Sequence, residues 1–116
     1  MSITKPKLGQ HFLKDESVLE KIIKTANIKP SDTILEIGPG RGVLTYKLAK
    51  TAKKVIAVEK DSNLAQQLNI PKVEVVNENI LNYTPPQNIT RIIGNIPYYI
   101  TGQILRKFEG FECLYL

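Results

Sequence analysis

Cysteine and histidine are nearly absent from this chain, and tryptophan is missing altogether. The 116 residues include one cysteine, Cys113, and one histidine, His11. A single cysteine excludes an internal disulfide and a multi-cysteine metal centre, and a single histidine excludes a histidine-rich metal site. We therefore expect no bound metal, and we interpret Cys113 as a small apolar side chain that fills space in the packing.

Long apolar runs are also lacking. No segment approaches the roughly 20 apolar residues that a membrane-spanning helix needs. Residues 1–7 have neither the apolar core nor the cleavage site of a secretory signal. Apolar residues make up 42% of the chain, which excludes the disordered class. The composition predicts a cytoplasmic globular protein without a membrane partner, and we expect a monomer.

Acidic residues are missing from one stretch of the chain, between positions 41 and 54. The net charge is +5, and this stretch alone holds five cations: Arg41, Lys47, Lys50, Lys53 and Lys54. Such a basic stripe can follow the phosphates of a nucleic acid. A solvated helix face would have the same composition, so the stripe permits a nucleic-acid partner without establishing one.

Apolar residues follow helical and strand periodicity in alternation, which predicts an α/β fold with a parallel sheet. The predicted strands cover residues 33–37, 54–59, 73–76 and 91–94. The first predicted helix opens with Ser17 and Glu20 in capping-box spacing and stops before Pro30. Three further helices are predicted over about 43–52, 62–68 and 100–108, and the Asn- and Pro-rich stretch 77–90 is predicted to be irregular.

The predicted sheet has fewer strands than a complete doubly wound domain. Residues 111–116 alternate like the start of a fifth strand, and a strand that stops there would leave an apolar sheet edge unpaired. We therefore predict a truncated chain, with residues 1–116 forming part of one domain.

A glycine-rich turn, Glu36-Ile-Gly-Pro-Gly-Arg-Gly42, lies between a predicted strand and a predicted helix. Glycines allow a tight turn and close approach of a ligand to the backbone. The spacing differs from the dinucleotide pattern G-x-G-x-x-G, and Pro39 removes an N–H that a phosphate would need. The turn favours a nucleoside ligand without a pyrophosphate; the alternative is a turn that binds nothing.

Two further segments follow strands and are therefore expected at the same edge of the sheet. Glu59 ends the next predicted strand, where a carboxylate can accept hydrogen bonds from both hydroxyls of a ribose. Asn95-Ile-Pro-Tyr98 follows the fourth strand and offers an amide oxygen and an aromatic face to a nucleobase. A surface glutamate and a proline turn with buried tyrosines are the alternatives. Tyr99 is interpreted as a core residue.

In order and approximate spacing, these segments resemble the ribosomal RNA adenine dimethyltransferases over residues 5–107. The resemblance is carried by five segments: Leu8-Gly-Gln-His-Phe-Leu13, Glu36-Ile-Gly-Pro-Gly40, Val58-Glu59, Asn79-Ile-Leu81 and Asn95-Ile-Pro-Tyr98. The Gly-Gln of the first segment is more similar to the small-subunit branch than to the macrolide-resistance branch.

This resemblance implies a Rossmann-like class I S-adenosylmethionine-dependent methyltransferase fold, of which only the N-terminal part is present. The remaining strands and a smaller helical RNA-contacting domain would be absent. The implied cofactor is S-adenosyl-L-methionine, and the implied partner is small-subunit ribosomal RNA. The implied reaction is dimethylation of N6 on two adjacent adenines of that RNA.

The resemblance also assigns roles to individual residues. The cofactor-binding set is Gln10, His11, Leu13, Gly38, Gly40, Glu59, Lys60, Asn79, Ile80 and Asn95. Glu59 corresponds to the residue that holds the ribose. Asn79 stands where the family usually has an aspartate that accepts from the cofactor adenine, so an uncharged acceptor implies weaker binding.

The implied catalytic set is Asn95, Pro97 and Tyr98. The N6 nitrogen of adenine is a poor nucleophile because its lone pair is delocalised into the ring. Our hypothesis is that Asn95 Oδ1 and the carbonyl of Ile96 or Pro97 accept its two hydrogens, so that the lone pair points at the methyl group without an ionisable base. The alternatives are a non-catalytic RNA- or cofactor-binding relative and an inactive remnant. A nicotinamide-dependent dehydrogenase is disfavoured by the glycine spacing.

Overall fold

Six parallel strands form a single sheet in a computed structural model that describes residues 2–4, 16–94, 98–111 and 113–115. The strands are β1 (Ser2–Thr4), β2 (Thr33–Ile37), β3 (Lys54–Val58), β4 (Val73–Val76), β5 (Arg91–Gly94) and β6 (Cys113–Tyr115). The helices are α1 (Glu16–Ala26), α2 (Val43–Thr51), α3 (Ser62–Gln67) and α4 (Thr101–Lys107), with 3₁₀ helices at Ile80–Asn82 and Tyr98–Ile100. The predicted parallel α/β fold is confirmed.

The strand order is β1-β6-β5-β2-β3-β4, and every neighbouring pair is parallel. From β2 the chain winds outward through β3 to β4 and then crosses back to β5 on the other side of β2. The order of winding therefore reverses between β2 and β5. In open α/β sheets, ligands bind outside the carboxyl ends of the strands at such a reversal.

Helices cover both faces of the sheet because alternate strand residues point to opposite sides. On one face, Ile34 and Val55 pack with α1 and α2 through Leu19, Leu44 and Leu48. A second cluster forms on the other face and includes Ile104 of α4 and the residue that follows this helix; its members are Leu35, Ile37, Ile56, Val58, Ile80, Ile89, Ile92, Ile104 and Phe108. Strands β2, β3 and β5 are consequently buried on both sides over most of their length, as the apolar runs of a covered parallel sheet require, whereas β4 is only partly buried.

Two details of the sequence prediction are wrong. The sheet has six strands, and β6 is not an unpaired edge because it pairs with β5 on one side and β1 on the other. The capping box is also wrong: α1 begins at Glu16, so Ser17 lies inside the first turn, and the Glu20 carboxylate accepts from Lys47 Nζ at 2.9 Å. Glu20, which the local pattern assigned to the helix cap, instead forms an ion pair with a residue that is distant in the sequence.

The strand register aligns the ends of the central strands at one edge. Ile37 is paired with Val58 and with Gly94, and Val58 is paired with Val76. The residues that follow Ile37, Val58 and Val76 therefore leave the sheet together, at its carboxyl edge. None of the helices in the described ranges combines the length and the apolar character needed to cross a bilayer.

Candidate cofactor site at the carboxyl edge of the sheet

The glycine turn after β2 uses its own N–H groups internally. Gly38 N donates to Val58 O at 2.9 Å, Gly40 N donates to Glu59 Oε1 at 3.0 Å, and Gly42 N donates to Pro39 O at 3.0 Å. A phosphate-binding turn needs such N–H groups directed at the ligand. With these three committed and Pro39 offering none, the turn is poorly suited to hold a pyrophosphate.

The turn nevertheless leaves space for a ligand beside Gly40. Gly40 has a φ of 59°, and a Cβ built on it would meet no heavy atom within 4 Å. Gly42 has a different role, because a Cβ there would lie 2.6 Å from Leu68 Cδ2. Gly42 therefore allows the turn to pack against the segment after α3, while Gly40 allows an open approach at the rim.

Glu59 follows β3 directly, and its carboxylate links two backbone segments at the rim. Its Oε1 accepts from Gly40 N and its Oε2 accepts from Asp61 N, each at 3.0 Å, and the residue is 7% exposed. A carboxylate has about four acceptor positions, so each oxygen retains one for a ligand. The carboxylate is thus fixed in orientation while it can still accept from two hydroxyl groups.

Glu36 is a second buried acid at this edge, and sequence reasoning gave it no role of its own. It is the penultimate residue of β2, it is 3% exposed, and its Oε1 accepts a short hydrogen bond from the Thr45 hydroxyl of α2. Burial raises the pKa of Glu36 from 4.5 to about 7; the Thr45 hydrogen bond opposes this rise, and the Glu59 charge adds to it. The signal in the sequence was an acid inside the apolar strand Thr-Ile-Leu-Glu-Ile.

Because folding raises the pKa of Glu36, the native state holds a proton that the unfolded chain releases at lower pH. The contribution to stability is present below pH 4.5, declines as the pH rises to about 7, and is lost above it. A rise of this size corresponds to about 3 kcal/mol. We expect Glu36→Gln to remove this component, so that the variant gains stability relative to the wild type as the pH rises.

Urea unfolding of both proteins between pH 5 and pH 8 measures this difference. Glu74→Gln is the matched control, because its exposed carboxylate pairs with Lys54 at 2.8 Å. A stability difference between wild type and Glu36→Gln that stays constant over this pH range would contradict the burial argument.

The loop after β4 brings Asn79 and Ile80 to the rim in different ways. Asn79 is exposed and its Oδ1 accepts from Leu81 N at 2.9 Å, which caps the 3₁₀ helix Ile80–Asn82. The Ile80 side chain is buried in the cluster beside α4, so only its backbone could contact a ligand. Lys107 Nζ donates to Ile80 O at 2.7 Å and ties this loop to α4. Burial lowers the pKa of Lys107, and Glu78 opposes this effect.

Because Asn79 is exposed, the effect of a negative charge at this position can be tested directly. Asn79→Asp keeps an oxygen that can cap Leu81 N and adds a negative charge beside the space for a ligand. Charge-assisted hydrogen bonds are roughly twice as strong as neutral ones, so we expect about fivefold tighter binding of S-adenosylmethionine. Equilibrium dialysis checks this. Asn82→Asp, in the same 3₁₀ helix, is the control, and equal gains in both variants would show only a general charge effect.

Several predicted site residues lie outside the described part of the chain: Gln10, His11, Leu13, Asn95, Ile96 and Pro97. Of Tyr98, the backbone is described and begins the 3₁₀ helix Tyr98–Ile100. Lys60 is exposed, next to Glu59, and its carbonyl accepts from Asn77 Nδ2 at 3.2 Å. The structure therefore brings together Gly38, Gly40, Glu59, Lys60 and Asn79 at one edge.

The interpretation of Tyr99 as a core residue is wrong, because it is 76% exposed. The 3₁₀ turn leaves this ring outside the packing, while Ile104 and Phe108 of the following segment fill the core. Among the residues that the structure describes, no group of three or more His, Cys, Asp or Glu side chains is arranged to hold a metal ion.

The fold and the site together define a class of protein. The winding order of the parallel sheet, the glycine turn and the acid after the next strand are those of the Rossmann-like class I S-adenosylmethionine-dependent methyltransferases, of which the chain contains the N-terminal part. A sequence model described as "Ribosomal RNA adenine dimethylase" matches residues 1–109. The chain belongs to the ribosomal RNA adenine dimethylase family.

Two similar proteins carry different names within this family. "Ribosomal RNA small subunit methyltransferase A" of Dehalococcoides mccartyi is 45% identical over 115 residues, which cover 90% of this chain and 40% of that protein. "rRNA adenine N-6-methyltransferase" of Enterococcus faecalis is 44% identical over 108 residues, covering 87% of this chain and 44% of that protein. The chain therefore spans less than half the length of these relatives.

Among solved structures, the 23S rRNA methyltransferase ErmE matches with a TM-score of 0.78 and 35% identity. The match covers 86% of this chain and 43% of ErmE.

Proposed function

We propose that this chain binds S-adenosyl-L-methionine at the carboxyl edge of its sheet and transfers methyl groups to N6 of adenine in ribosomal RNA. The observation that carries the proposal is the nearly buried Glu59 carboxylate, which two backbone N–H groups orient beside a glycine turn whose own N–H groups are already hydrogen-bonded within the protein. The family membership supports the same activity, and ribosomal RNA is the proposed partner. A cytoplasmic location and a monomeric state are part of the proposal.

The charge of the rim favours a cationic nucleoside over a dinucleotide. The Glu59 carboxylate supplies most of the negative charge of the rim, and Glu36, with a pKa of about 7, adds part of a charge at neutral pH. S-adenosylmethionine brings a positively charged sulfonium and an ammonium group, whereas a pyrophosphate would be repelled. The residues present therefore fit the sulfonium cofactor and argue against nicotinamide-dependent chemistry.

We assign four residues of the rim a specific task in cofactor binding. Glu59 accepts from the two ribose hydroxyls through the acceptor positions that Gly40 and Asp61 leave available. Gly40 leaves the space in which a nucleoside can approach the backbone. Asn79 accepts from, or donates to, the edge of the adenine through its exposed amide. Lys107 maintains this loop by its bond to the Ile80 carbonyl.

The cofactor, when bound, supplies a methyl group that is already activated by the positive sulfur. The protein therefore needs mainly to position the acceptor nitrogen and to keep its lone pair available. Asn95 Oδ1 and the carbonyl of Ile96 or Pro97 accept the two hydrogens of the adenine amino group, and Tyr98 stacks on the base. Asn95 directly follows Gly94, whose pairing with Ile37 ends both strands at the rim.

The proposed substrate is a pair of adjacent adenines in small-subunit ribosomal RNA. The Gly-Gln of the N-terminal motif supports the small-subunit branch, whereas the two relatives described above have nearly equal identities and do not separate the branches. Which branch the chain belongs to is therefore tested by which RNA it methylates.

The decisive experiment supplies the purified chain with tritiated S-adenosylmethionine and unmethylated RNA hairpins. One hairpin has the adjacent adenines of small-subunit RNA, and a matched hairpin carries guanines at those two positions. We expect label only in the first, recovered as N6,N6-dimethyladenosine after digestion. Equal labelling of both hairpins would contradict adenine specificity. Binding of cofactor and RNA without transfer would identify a non-catalytic relative.

A further inference from the structure

The outward side of α2 carries cations and an aromatic ring that the cofactor site does not use. We call this surface the α2 outer face and define it by Arg41, Val43, Tyr46, Lys50 and Lys53. All five residues are exposed, and Val43 and Tyr46 are two of the few large apolar side chains with this exposure. Within α2 itself, the spacing of positions 43, 46 and 50 places them on one side of the helix.

The structure divides the five cations of the basic stripe into two groups. Lys47 Nζ lies 2.5 Å from Glu16 Oε2 and 2.9 Å from Glu20 Oε1, and Lys54 Nζ lies 2.8 Å from Glu74 Oε1. These two lysines are neutralised within the fold. The remaining cations, Arg41, Lys50 and Lys53, have no ion pair with any acid in the described ranges.

Tyr46 adds an aromatic surface to these uncompensated charges. It is 50% exposed, and Lys50 Nζ lies 4.5 Å from the centre of its ring. A half-exposed ring costs hydrophobic free energy in a free protein, and the Lys50 ammonium over this ring disfavours a purely apolar partner. A base stacked on tyrosine and a phosphate beside lysine satisfy both groups at once.

We propose that the α2 outer face is an auxiliary docking surface for an unpaired segment of the substrate RNA, with Tyr46 stacking on a base and Arg41 and Lys50 contacting phosphates. The proposal rests on the proposed function, since it takes RNA as the substrate. It assigns part of the binding to a surface away from the candidate catalytic residues.

The position of this face supports a continuous path from the rim. Arg41 belongs to the glycine turn, and α2 runs from that turn towards the opposite edge of the sheet. Nine residues of α-helix extend roughly 13 Å. RNA held along α2 would therefore reach the carboxyl edge, where the adenine must be presented to the cofactor.

Fluorescence anisotropy with a labelled small-subunit RNA hairpin that includes an unpaired flank tests this surface. We expect Lys50→Glu to lower the affinity about tenfold and to reduce the slope of log K against log salt by about 1. Tyr46→Ala should lower the RNA affinity about fivefold to tenfold, whereas Tyr46→Phe should retain the wild-type affinity because the ring remains.

Arg106→Glu is the matched control, because it reverses a charge in the last turn of α4 on the other face of the sheet. Arg106→Glu should lower the RNA affinity less than threefold. Circular dichroism and cofactor titration of each variant confirm that the fold and the cofactor site are intact, so a loss of RNA binding belongs to the surface alone.

Heparin separates RNA docking from attraction to any polyanion. Tyr46→Ala should leave heparin binding unchanged, because heparin has no bases to stack. The proposal is overturned if Tyr46→Ala lowers the affinities for RNA and heparin equally, if Lys50→Glu lowers the RNA affinity no more than Arg106→Glu does, or if the folded wild-type chain binds no RNA. Absence of methyl transfer alone would count against the proposed function and not against this surface, since the readout here is RNA affinity.

Discussion

Glu59→Gln is expected to lower the affinity for S-adenosylmethionine by about a hundredfold. The carboxylate accepts from Gly40 N and Asp61 N in the free protein, and we assign its remaining acceptor positions to the ribose hydroxyls. Each carboxylate oxygen accepts from one backbone N–H, so the NH₂ group of the amide must face one of these two donors, which then stays unsatisfied. An unmade buried hydrogen bond costs about 1–3 kcal/mol, and the lost charge weakens the rest.

Equilibrium dialysis with labelled cofactor measures this effect, and thermal unfolding checks that the variant folds. Glu74→Gln is the control, because it removes an acid from the neighbouring strand β4 that lies outside the rim. Glu59→Asp keeps the charge but withdraws it by one methylene, so we expect an intermediate loss. If Glu59→Gln binds S-adenosylmethionine with an affinity within threefold of the wild type, Glu59 does not hold the ribose.

Asn95→Ala is expected to reduce the single-turnover rate of methyl transfer by roughly 10²–10³-fold, similar to the loss of one preorganised polar contact in other active sites. The reason is the loss of an acceptor for one hydrogen of the adenine amino group, which leaves the lone pair delocalised. The affinity for the cofactor should change by only a few fold, because Glu59 and the glycine turn remain.

Quenched-flow measurement with saturating cofactor and RNA isolates the chemical step. Asn88→Ala, an asparagine in the exposed connection before β5, is the control and should transfer at the wild-type rate. If the Asn95→Ala rate falls within fivefold of the wild-type rate, the amide has no role in preparing the nucleophile.

The central strands could be predicted from the sequence because their signals are local. The apolar runs at β2, β4 and β5 predicted the bounds that the structure shows, since each run ends at a turn signal. Strands β2 and β5 are largely buried, whereas β4 is only partly buried. The glycine turn and Glu59 could be placed at one edge for the same reason: carboxyl ends of parallel strands meet there.

The rest depends on contacts between distant parts of the chain, which no local pattern encodes. Strand β1 has three residues and is defined by its pairing with β6, at the other end of the chain. Glu20 fits a capping box in sequence, but Lys47 lies 27 positions away and takes its carboxylate. Glu36 acquires its raised pKa only because α2 and the sheet enclose it. The exposure of Tyr99 likewise depends on which neighbouring side chains fill the core.

Calorimetric titration of S-adenosylmethionine into the purified chain, with circular dichroism to show that it is folded, tests whether the rim binds this cofactor. We expect saturable binding to one site per chain. We also expect S-adenosylmethionine to bind in preference to a nicotinamide dinucleotide, because the rim carries the Glu59 carboxylate and offers few free N–H groups. A folded chain that gives no saturable heat with S-adenosylmethionine, or that binds the dinucleotide equally well, would contradict these expectations.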